Sequence, residues 1–450
     1  MKTSEVKASV GSNPTASASL NLTETLSQIV KGTNELTEQS KKKRAERAVA
    51  RHGNVQEHGR LRTVLGIIGK ALIVVLVSSL TITTIAALQL SKQLSDRTVT
   101  ITDGQGKKIE VPPLDGPINL LLVGSDTREG TGNGVFGTEQ SNLADVLILI
   151  HISADRKNAV GLSFPRDLMV PWPACPSTTG GPGYYAQSLG QINATIGNGG
   201  PGCTLLTVQE LTGIQIPYLA MIDFTGVIEL SNAVGGVEVC VAEDIEDPYT
   251  HTYLKAGMHN LQGLQALQFL RTRHGVGDGS DLTRISNQQV YLTALVRKLK
   301  AKNILNNPVA LYSLANAAAR NMKLSNTLND PATLVGVANA LKSIPMKNIT
   351  FLQVPTVKMT GEYVNRVAPD YEKAQVLFDL INADQPLVLG DVTNTGGGSV
   401  VKPTPTPTAT KTPTKSPTST PTAKPTPTVT PLPDWAQGTN AATTTCSKGQ

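Results

Sequence analysis

Cysteine and aromatic side chains are scarce in this chain. Its four cysteines, Cys175, Cys203, Cys240 and Cys446, form no C-x-x-C pair, and no histidine stands beside them at metal-ligand spacing. That pattern argues against a structural zinc site, which needs clustered sulfur and imidazole ligands. Isolated cysteines outside the cytoplasm are often bridged, so one disulfide among the first three is expected, Cys175–Cys203 before the others. Sequence alone does not fix that pairing. Aromatic residues at 4% and hydrophobic residues at 39% are both low for a chain that is globular throughout. Part of it therefore contributes nothing to a core. The formal charge of +6 is modest for 450 residues and averages unlike segments, so it must be divided among them before it speaks of partners.

Residues 1–62 are polar, rich in Ser, Thr and Asn, and close on Lys41, Lys42, Lys43, Arg44, Arg47, Arg51, Arg60 and Arg62. Such a stretch cannot bury enough apolar surface to offset its ordering entropy and reads as a disordered basic tail. Residues 66–90 read as a transmembrane helix, because 71–90 carry no charge and match the roughly 20 residues needed to cross the hydrocarbon core. The basic cluster lies on its N-terminal side. The positive-inside rule then leaves the N-terminus in the cytoplasm and puts everything after a short juxtamembrane segment, 91–114, outside the cell.

Residues 115–386 read as one globular domain. Short apolar runs at 118–123, 146–152 and 159–164 have the character of buried strands. Leu261, Leu264, Leu267 and Leu270 recur at helical spacing, 282–300 is a long helix candidate, and 308–344, 351–355 and 371–381 complete the alternation. Mixed strands and helices of this kind predict an α/β fold with a mixed central sheet covered by helices on both faces, an α-β-α sandwich. From 387 to 450 the chain reads as a Pro/Thr-rich stalk and disordered C-terminal tail, since proline at that density favours extended polyproline II.

Charge appears where the apolar strands end. The first is followed by Gly124-Ser125-Asp126-Thr127-Arg128 and the third by Pro165-Arg166-Asp167, with Asp145 opening the strand between them. Ligands of open α/β sheets bind at strand ends, so these groups can converge on one ligand. Arginine holds phosphate oxygens through its planar fork, and an aspartate among arginines can hold a divalent cation bridging the same phosphates. A second cluster follows: Arg271 and Arg273, a Gly-rich link, then Asp281, Arg284 and Gln288, the last two at i and i+4 on one helical face. Blander readings fit other polar residues. His151 interrupts a buried strand, Trp172, Tyr184 and Tyr185 sit in a Pro/Gly-rich loop, and the acidic run 243–247 reads as a solvated turn.

As a set these motifs resemble the LytR-CpsA-Psr family of membrane-anchored phosphotransferases, which attach glycopolymers to peptidoglycan. The matching pieces are Leu121 through Arg128, Gly161 through Asp167, Ile192-Asn193-Ala194, Gly235 through Glu238, Leu261-Gln262-Gly263 through Arg273, and Asp281 through Arg284 with Gln288. The resemblance implies that the donor is a polyprenyl-diphosphate-linked glycan with its lipid in an apolar groove of the sheet. Its phosphates would lie against Arg128, Arg166, Arg271, Arg273, Arg284 and Gln288. It also implies that Asp126 and Asp145 hold Mg2+ or another divalent cation, and that Asp126, Asp145 and Arg166 are catalytic. A peptidoglycan hydroxyl is the expected acceptor, and polyprenyl phosphate the expected leaving group. Positioning and charge neutralisation dominate such chemistry.

The chain departs from the family pattern at three places. Leu143, Gln191 and Asn287 stand where basic residues are common, which removes up to three positive charges. Two other readings therefore stay open: a pyrophosphatase that uses water as acceptor, and a non-catalytic glycopolymer-binding surface protein. A nucleic-acid partner is not expected, because the basic tail shows no recognition helix and the folded domain is expected outside.

Overall fold

The computed structural model describes residues 60–95, 98–103, 105–126, 142–177, 183–301, 304, 307–390, 395–402 and 431–450. Most of the expected basic tail, the Thr127–Arg128 end of the first motif and the Pro/Thr repeats at 403–430 lie outside them. The chain divides into two units, Met1–Ser79 and Leu80–Gln450.

Helix α1 (Arg60–Ser95) is the one helix among the described residues long and apolar enough to cross a bilayer, over Val64–Ala86 with a mean hydropathy of 2.3. Leu72, Val75, Leu76 and Leu80 are all exposed, an arrangement that suits lipid rather than water.

Strands β1 (Thr98–Val99), β2 (Ile118–Ser125), β3 (Ala144–Ile152) and β4 (Ala159–Phe164) come next, then the short pair β5 (Met169–Trp172) and β6 (Gln187–Gln191). Helix α2 (Thr195–Thr212), β7 (Tyr218–Ile222), α3 (Phe224–Ala233) and β8 (Val237–Val241) follow. The hairpin β9 (Ile245–Asp247) and β10 (Thr252–Leu254) leads to β11 (Gly257–Leu261), α4 (Leu264–Arg271) and the long α5 (Asp281–Ala301). After it come α6 (Pro308–Asn321), β12 (Met322–Ser325), α7 (Pro331–Ser343), β13 (Ile349–Gln353), β14 (Thr356–Lys358), β15 (Val367–Pro369) and α8 (Tyr371–Asn382). The chain closes on β16 (Ser399–Val401), β17 (Gly438–Asn440) and β18 (Thr445–Ser447).

The central sheet has eight strands in the order β1-β12-β7-β2-β3-β4-β13-β17 and mixes parallel and antiparallel pairs. Alternation along its strands loads both faces. One side of the sheet packs Leu121, Leu147 and Leu149 against Leu205 and Val208 of α2 and Leu377 and Phe378 of α8. The other packs Ile118, Ile152 and Tyr218 with Val296 of α5, Ala319 of α6 and Ala340 of α7. This is the expected α-β-α sandwich. A second sheet, β11-β8-β18-β16, packs its Val237, Val239 and Val241 beneath Phe269, Val290 and Ala294.

Three details differ from the sequence reading. The helical run 308–344 is two helices split by β12, because Asn321 ends the first and Asp330-Pro331 caps a second, its carboxylate accepting from Thr333 N. Leu261 closes β11 rather than opening α4, since Gly263 turns the chain at φ +58° between them. The third is the C-terminal boundary. Residues 387–450 are not a tail throughout: β17 pairs with β13, while β18 lies between β8 and β16. Leu432, Ala436, Ala441 and Cys446 are buried. Averaged composition hid these short strand-forming stretches behind the proline repeats.

Both disulfides follow from this topology. Cys175–Cys203 forms as expected, and Cys240 in β8 faces Cys446 in β18 to form a second bridge spanning 206 residues.

Candidate active site

The parallel strands β2, β4 and β7 end at one edge of the central sheet, and a cavity of about 520 Å³ opens there. β3 enters the same edge from the opposite direction, through a β-bulge. Gly124 pairs with Val146 but Ser125 pairs with Ala144, so Asp145 is the extra residue. A bulge re-aims the side chain it carries. Asp145 accordingly lines the cavity, where its Oδ1 accepts from Nη1 of Arg166 at 2.9 Å.

Arg166 lies just past β4. Its backbone N–H donates to Asp281 Oδ2 at 2.9 Å, and its Nε lies 3.7 Å from Asp281 and 3.8 Å from Asp167. Burial opposes the charge on this guanidinium, but Asp145, Asp281 and Asp167 together outweigh it and raise the pKa above the ordinary arginine value. Asp281 is the first residue of α5, where a carboxylate is favoured by the helix N-terminus. One turn on, Arg284 Nη2 sits 2.5 Å from Asp281 Oδ1 and donates to the bulged Asp145 carbonyl at 2.9 Å. Arg166 Nε and Arg284 Nε are buried without a hydrogen-bond acceptor.

Arg271 ends α4 with its guanidinium 4.4 Å from the centre of the Phe224 ring. Arg273 donates from Nε to Gly279 O at 2.7 Å, and Gln288 Nε2 donates to Leu270 O at 3.1 Å. Asp145, Arg166, Arg271, Arg273, Arg284 and Gln288 therefore all line one cavity. Asp126 is not among the lining residues but directly follows Ser125, which is, one residue past β2. Its Oδ1 accepts the Leu143 N–H at 2.9 Å, and its own N–H donates to Leu143 O at 3.1 Å. Arg128 lies outside the described residues.

Beyond the arginines the cavity turns apolar. Along one face of α5 the lining runs Arg284, Gln288, Leu292, Leu295 and Leu299, so a single helical stripe changes from cationic to greasy over about 22 Å. Leu122, Ile148, Val227, Leu230, Leu314 and Met322 close the trough from β2, β3, α3, α6 and β12. Burial pushes the Tyr291 phenol, which also lines it, well above its ordinary pKa.

Two carboxylates of this region were not singled out from sequence. Asp281, quoted only within a motif, is the clamp for both Arg166 and Arg284. Asp247 was placed in a solvated turn, yet it is fully buried. It accepts Tyr249 N (3.0 Å), Thr250 N (3.3 Å), Thr272 Oγ1 (2.7 Å), Arg273 N (3.0 Å) and His274 N (3.1 Å). Burial raises its pKa, but these donors outweigh that and hold it below the usual carboxylate value. Its signal in the sequence was the break in acidity at Pro248, which turns the chain back over the carboxylate.

Residues 84–377, about two thirds of the chain, match the LytR_cpsA_psr family. The chain belongs to that family. Cell wall biosynthesis protein LcpA of Corynebacterium glutamicum is 27% identical over a 290-position alignment that covers 59% of this chain and 54% of that protein. Polyisoprenyl-teichoic acid–peptidoglycan teichoic acid transferase TagT of Bacillus subtilis is 30% identical over 202 residues, 43% of this chain and 56% of that protein. The chain spans about half the length of the curated relatives it matches. Among solved structures, a LytR-Csp2A-Psr enzyme from Actinomyces oris aligns with a TM-score of 0.47 at 23% identity, over 64% of this chain and 96% of that one.

The three departures from the family pattern find places in the structure. Asn287 is fully buried, donating to Phe269 O at 2.8 Å and accepting from Ser447 Oγ of the C-terminal strand. Leu143 serves Asp126 through its backbone. Gln191 Nε2 donates to Asp167 Oδ1 at 2.8 Å, and Arg366 Nη1 reaches the same oxygen at 2.9 Å. None of the three lines the cavity. The family's Gly235-Gly236 pair is conformational: both have positive φ, and a Cβ on Gly236 would stand 2.6 Å from Asn260.

Proposed function

We propose that this chain is a membrane-anchored phosphotransferase. It moves a glycopolymer from a polyprenyl-diphosphate carrier to a peptidoglycan hydroxyl on the outer face of the membrane and releases polyprenyl phosphate. The observation that carries this reading is one cavity with a cationic mouth continuous with an apolar trough. An amphiphile with a diphosphate head and a hydrocarbon tail matches both parts, and the stripe along α5 sets its direction. The unsatisfied Nε–H groups of Arg166 and Arg284 need acceptors, which phosphate oxygens supply. TagT and LcpA, by their names, act in teichoic acid transfer and cell wall biosynthesis, which supports the same substrate class.

In the reaction, the acceptor oxygen forms a bond to the sugar-side phosphorus while the bond from that phosphorus to the bridging oxygen breaks. The leaving polyprenyl phosphate takes the electron pair, and the hydroxyl proton passes to one carboxylate, that of Asp126 or of Asp145. Arg166, Arg271, Arg273 and Arg284 neutralise the charge spread over the phosphoryl oxygens. The clamp at Asp281 sets Arg166 and Arg284 in place beforehand, so little reorganisation is needed.

Asp126, just past the end of β2, and Asp145, at the bulge of the neighbouring β3, are the residues that would hold Mg2+. Among the described residues no group of three or more His, Cys, Asp or Glu side chains could hold a metal. Two carboxylates suit a small hard cation that completes its shell with substrate oxygens and water. Such an ion would add charge stabilisation on the phosphoryl oxygens.

The deciding experiment supplies purified full-length protein in detergent with a lipid-linked glycan and an acceptor glycan. Covalent donor–acceptor product that disappears in Arg166→Ala and Asp145→Ala is expected. Hydrolysis without coupled product would favour the pyrophosphatase reading, and full activity in both variants would favour a binding protein. Thiol labelling of single cysteines placed before and after α1 tests the orientation, with the N-terminal site expected to be protected in intact cells.

A further inference from the structure

We propose that Tyr249 and His274 form a subsite for the pyranose ring that the donor carries on its sugar-side phosphate. The proposal rests on the lipid-diphosphate reading above. Four aromatic side chains line the cavity: Phe224, Tyr249, His274 and Tyr291. Phe224 and Tyr291 are each only 5% exposed, and the face of Phe224 is occupied by Arg271. Tyr249 is 76% exposed and His274 is exposed as well, with ring centroids 4.6 Å apart and planes tilted by 45°. Together they make an open aromatic notch at the solvent side of the cationic mouth.

Direction assigns the occupant. The α5 stripe leads the hydrocarbon chain from Arg284 toward Leu299, so the group on the other phosphate leaves the cavity at the opposite, solvent-facing side. His274 follows Arg273 directly in the chain, which places the notch beside a phosphate-binding guanidinium. A pyranose presents an apolar C–H face that packs on aromatic rings and hydroxyl edges that bond to their polar tips.

The notch is also built rather than incidental. One oxygen of the buried Asp247 accepts the N–H groups of Tyr249 and Thr250, and the other accepts those of Arg273 and His274. A single carboxylate thereby holds the backbone that carries both rings and the neighbouring arginine in one frame.

The test measures binding of two probes to the full chain in micelles: a short polyprenyl diphosphate bearing one hexosamine, and the same lipid diphosphate without the sugar. Tyr249→Ala is expected to weaken the sugar-bearing probe about tenfold and to leave the bare probe within about twofold. Tyr249→Phe, which keeps the ring but not its hydroxyl, is expected to weaken the sugar-bearing probe less than Tyr249→Ala and to leave the bare probe unchanged, and His274→Ala weakens the sugar-bearing probe selectively but less than Tyr249→Ala. Equal losses for both probes, or no loss for either, overturn the subsite. So does unchanged donor affinity with a raised KM for the acceptor glycan, which would give the rings to the acceptor. A wild-type protein that binds neither probe would sink the lipid-diphosphate reading itself, a failure distinguishable from the others.

Discussion

Asp281 Oδ2 accepts the backbone N–H of Arg166 at 2.9 Å, across 115 residues of sequence. The same carboxylate pairs with Arg284, and both partners of that pair are almost wholly buried. Asp281→Ala would strip the charge partner from a buried guanidinium, which typically costs about 3 kcal/mol or more. Denaturant unfolding should show that loss, and transfer activity should fall by about 100-fold as the two arginines lose register. Asp281→Asn, which still accepts from Arg166 N–H, should recover part of the stability and less of the rate. A variant as active as wild type would remove Asp281 from the site.

Asp167 carries the second relationship worth testing. Its Oδ1 receives both Gln191 and Arg366, while Arg166 Nε lies 3.8 Å from its other oxygen. Arg366 thus supplies beside Asp167 the positive charge that Gln191 lacks. Without it, Asp167 would draw Arg166 away from the cavity. Arg366→Ala is expected to lower kcat/KM about five- to tenfold, and adding Gln191→Lys should restore most of it, as expected for coupled neighbours in one ion-pair network. Failure of the rescue, with folding intact, would show that the two positions are not interchangeable sources of charge.

Much of this fold was legible because its signals are local. The runs at 118–123, 146–152 and 159–164 read as buried strands, and charge at their ends marked the edge where the cavity opens. Arg284 and Gln288 shared a face by helical arithmetic. What stayed hidden depends on long-range pairing. Nothing local tells that Cys446 returns to Cys240, that Asn287 meets Ser447 instead of a substrate, or that Arg366 reaches Asp167 from another segment. The apolar trough was expected from the family resemblance, but its walls come from β2, β3, α3, α5, α6 and β12 together. Asp247 was misplaced because burial of a short acidic turn depends on the loop that closes over it.

His151 gives the fold a pH dependence of known sign. It stands one residue before the end of β3, 3% exposed, with Nδ1 2.7 Å from Asn119 Oδ1 and Nε2 3.1 Å from Asp384 Oδ1. Burial lowers its pKa below 6.5, and the opposing pull of Asp384 is the smaller effect. As pH falls, the unfolded chain therefore takes up the proton first. The stability this group contributes is complete above about pH 6.5 and is lost as pH falls toward the depressed folded value. Urea unfolding should show a plateau above about pH 7 and a decline below it of up to about 1.4 kcal/mol per pH unit. His151→Gln should flatten that part of the curve; an identical decline in the variant would assign it to other groups.

The C-terminal strands make the last case. β17 and β18 are held by ladders to β13, β8 and β16, and Cys446 is bonded to Cys240 across 206 residues. By loop-closure entropy alone a bridge of that span stabilises by about 5 kcal/mol. Residues 403–430 connect in sequence two anchored segments, 395–402 and 431–450, and the closure cost of a connection of that length changes slowly with length. Replacing 403–430 with a Gly/Ser segment of equal length should leave the thermal midpoint nearly unchanged. Ending the chain at 430 should lower it steeply, and Cys446→Ser should lower it by an intermediate amount, because the strand pairing survives the lost bridge. Reduction of the wild-type protein should then approach the Cys446→Ser value or fall below it, since Cys175–Cys203 opens as well. Equal midpoints for wild type and the 430 truncation would mean that these strands do not belong to the cooperative unit.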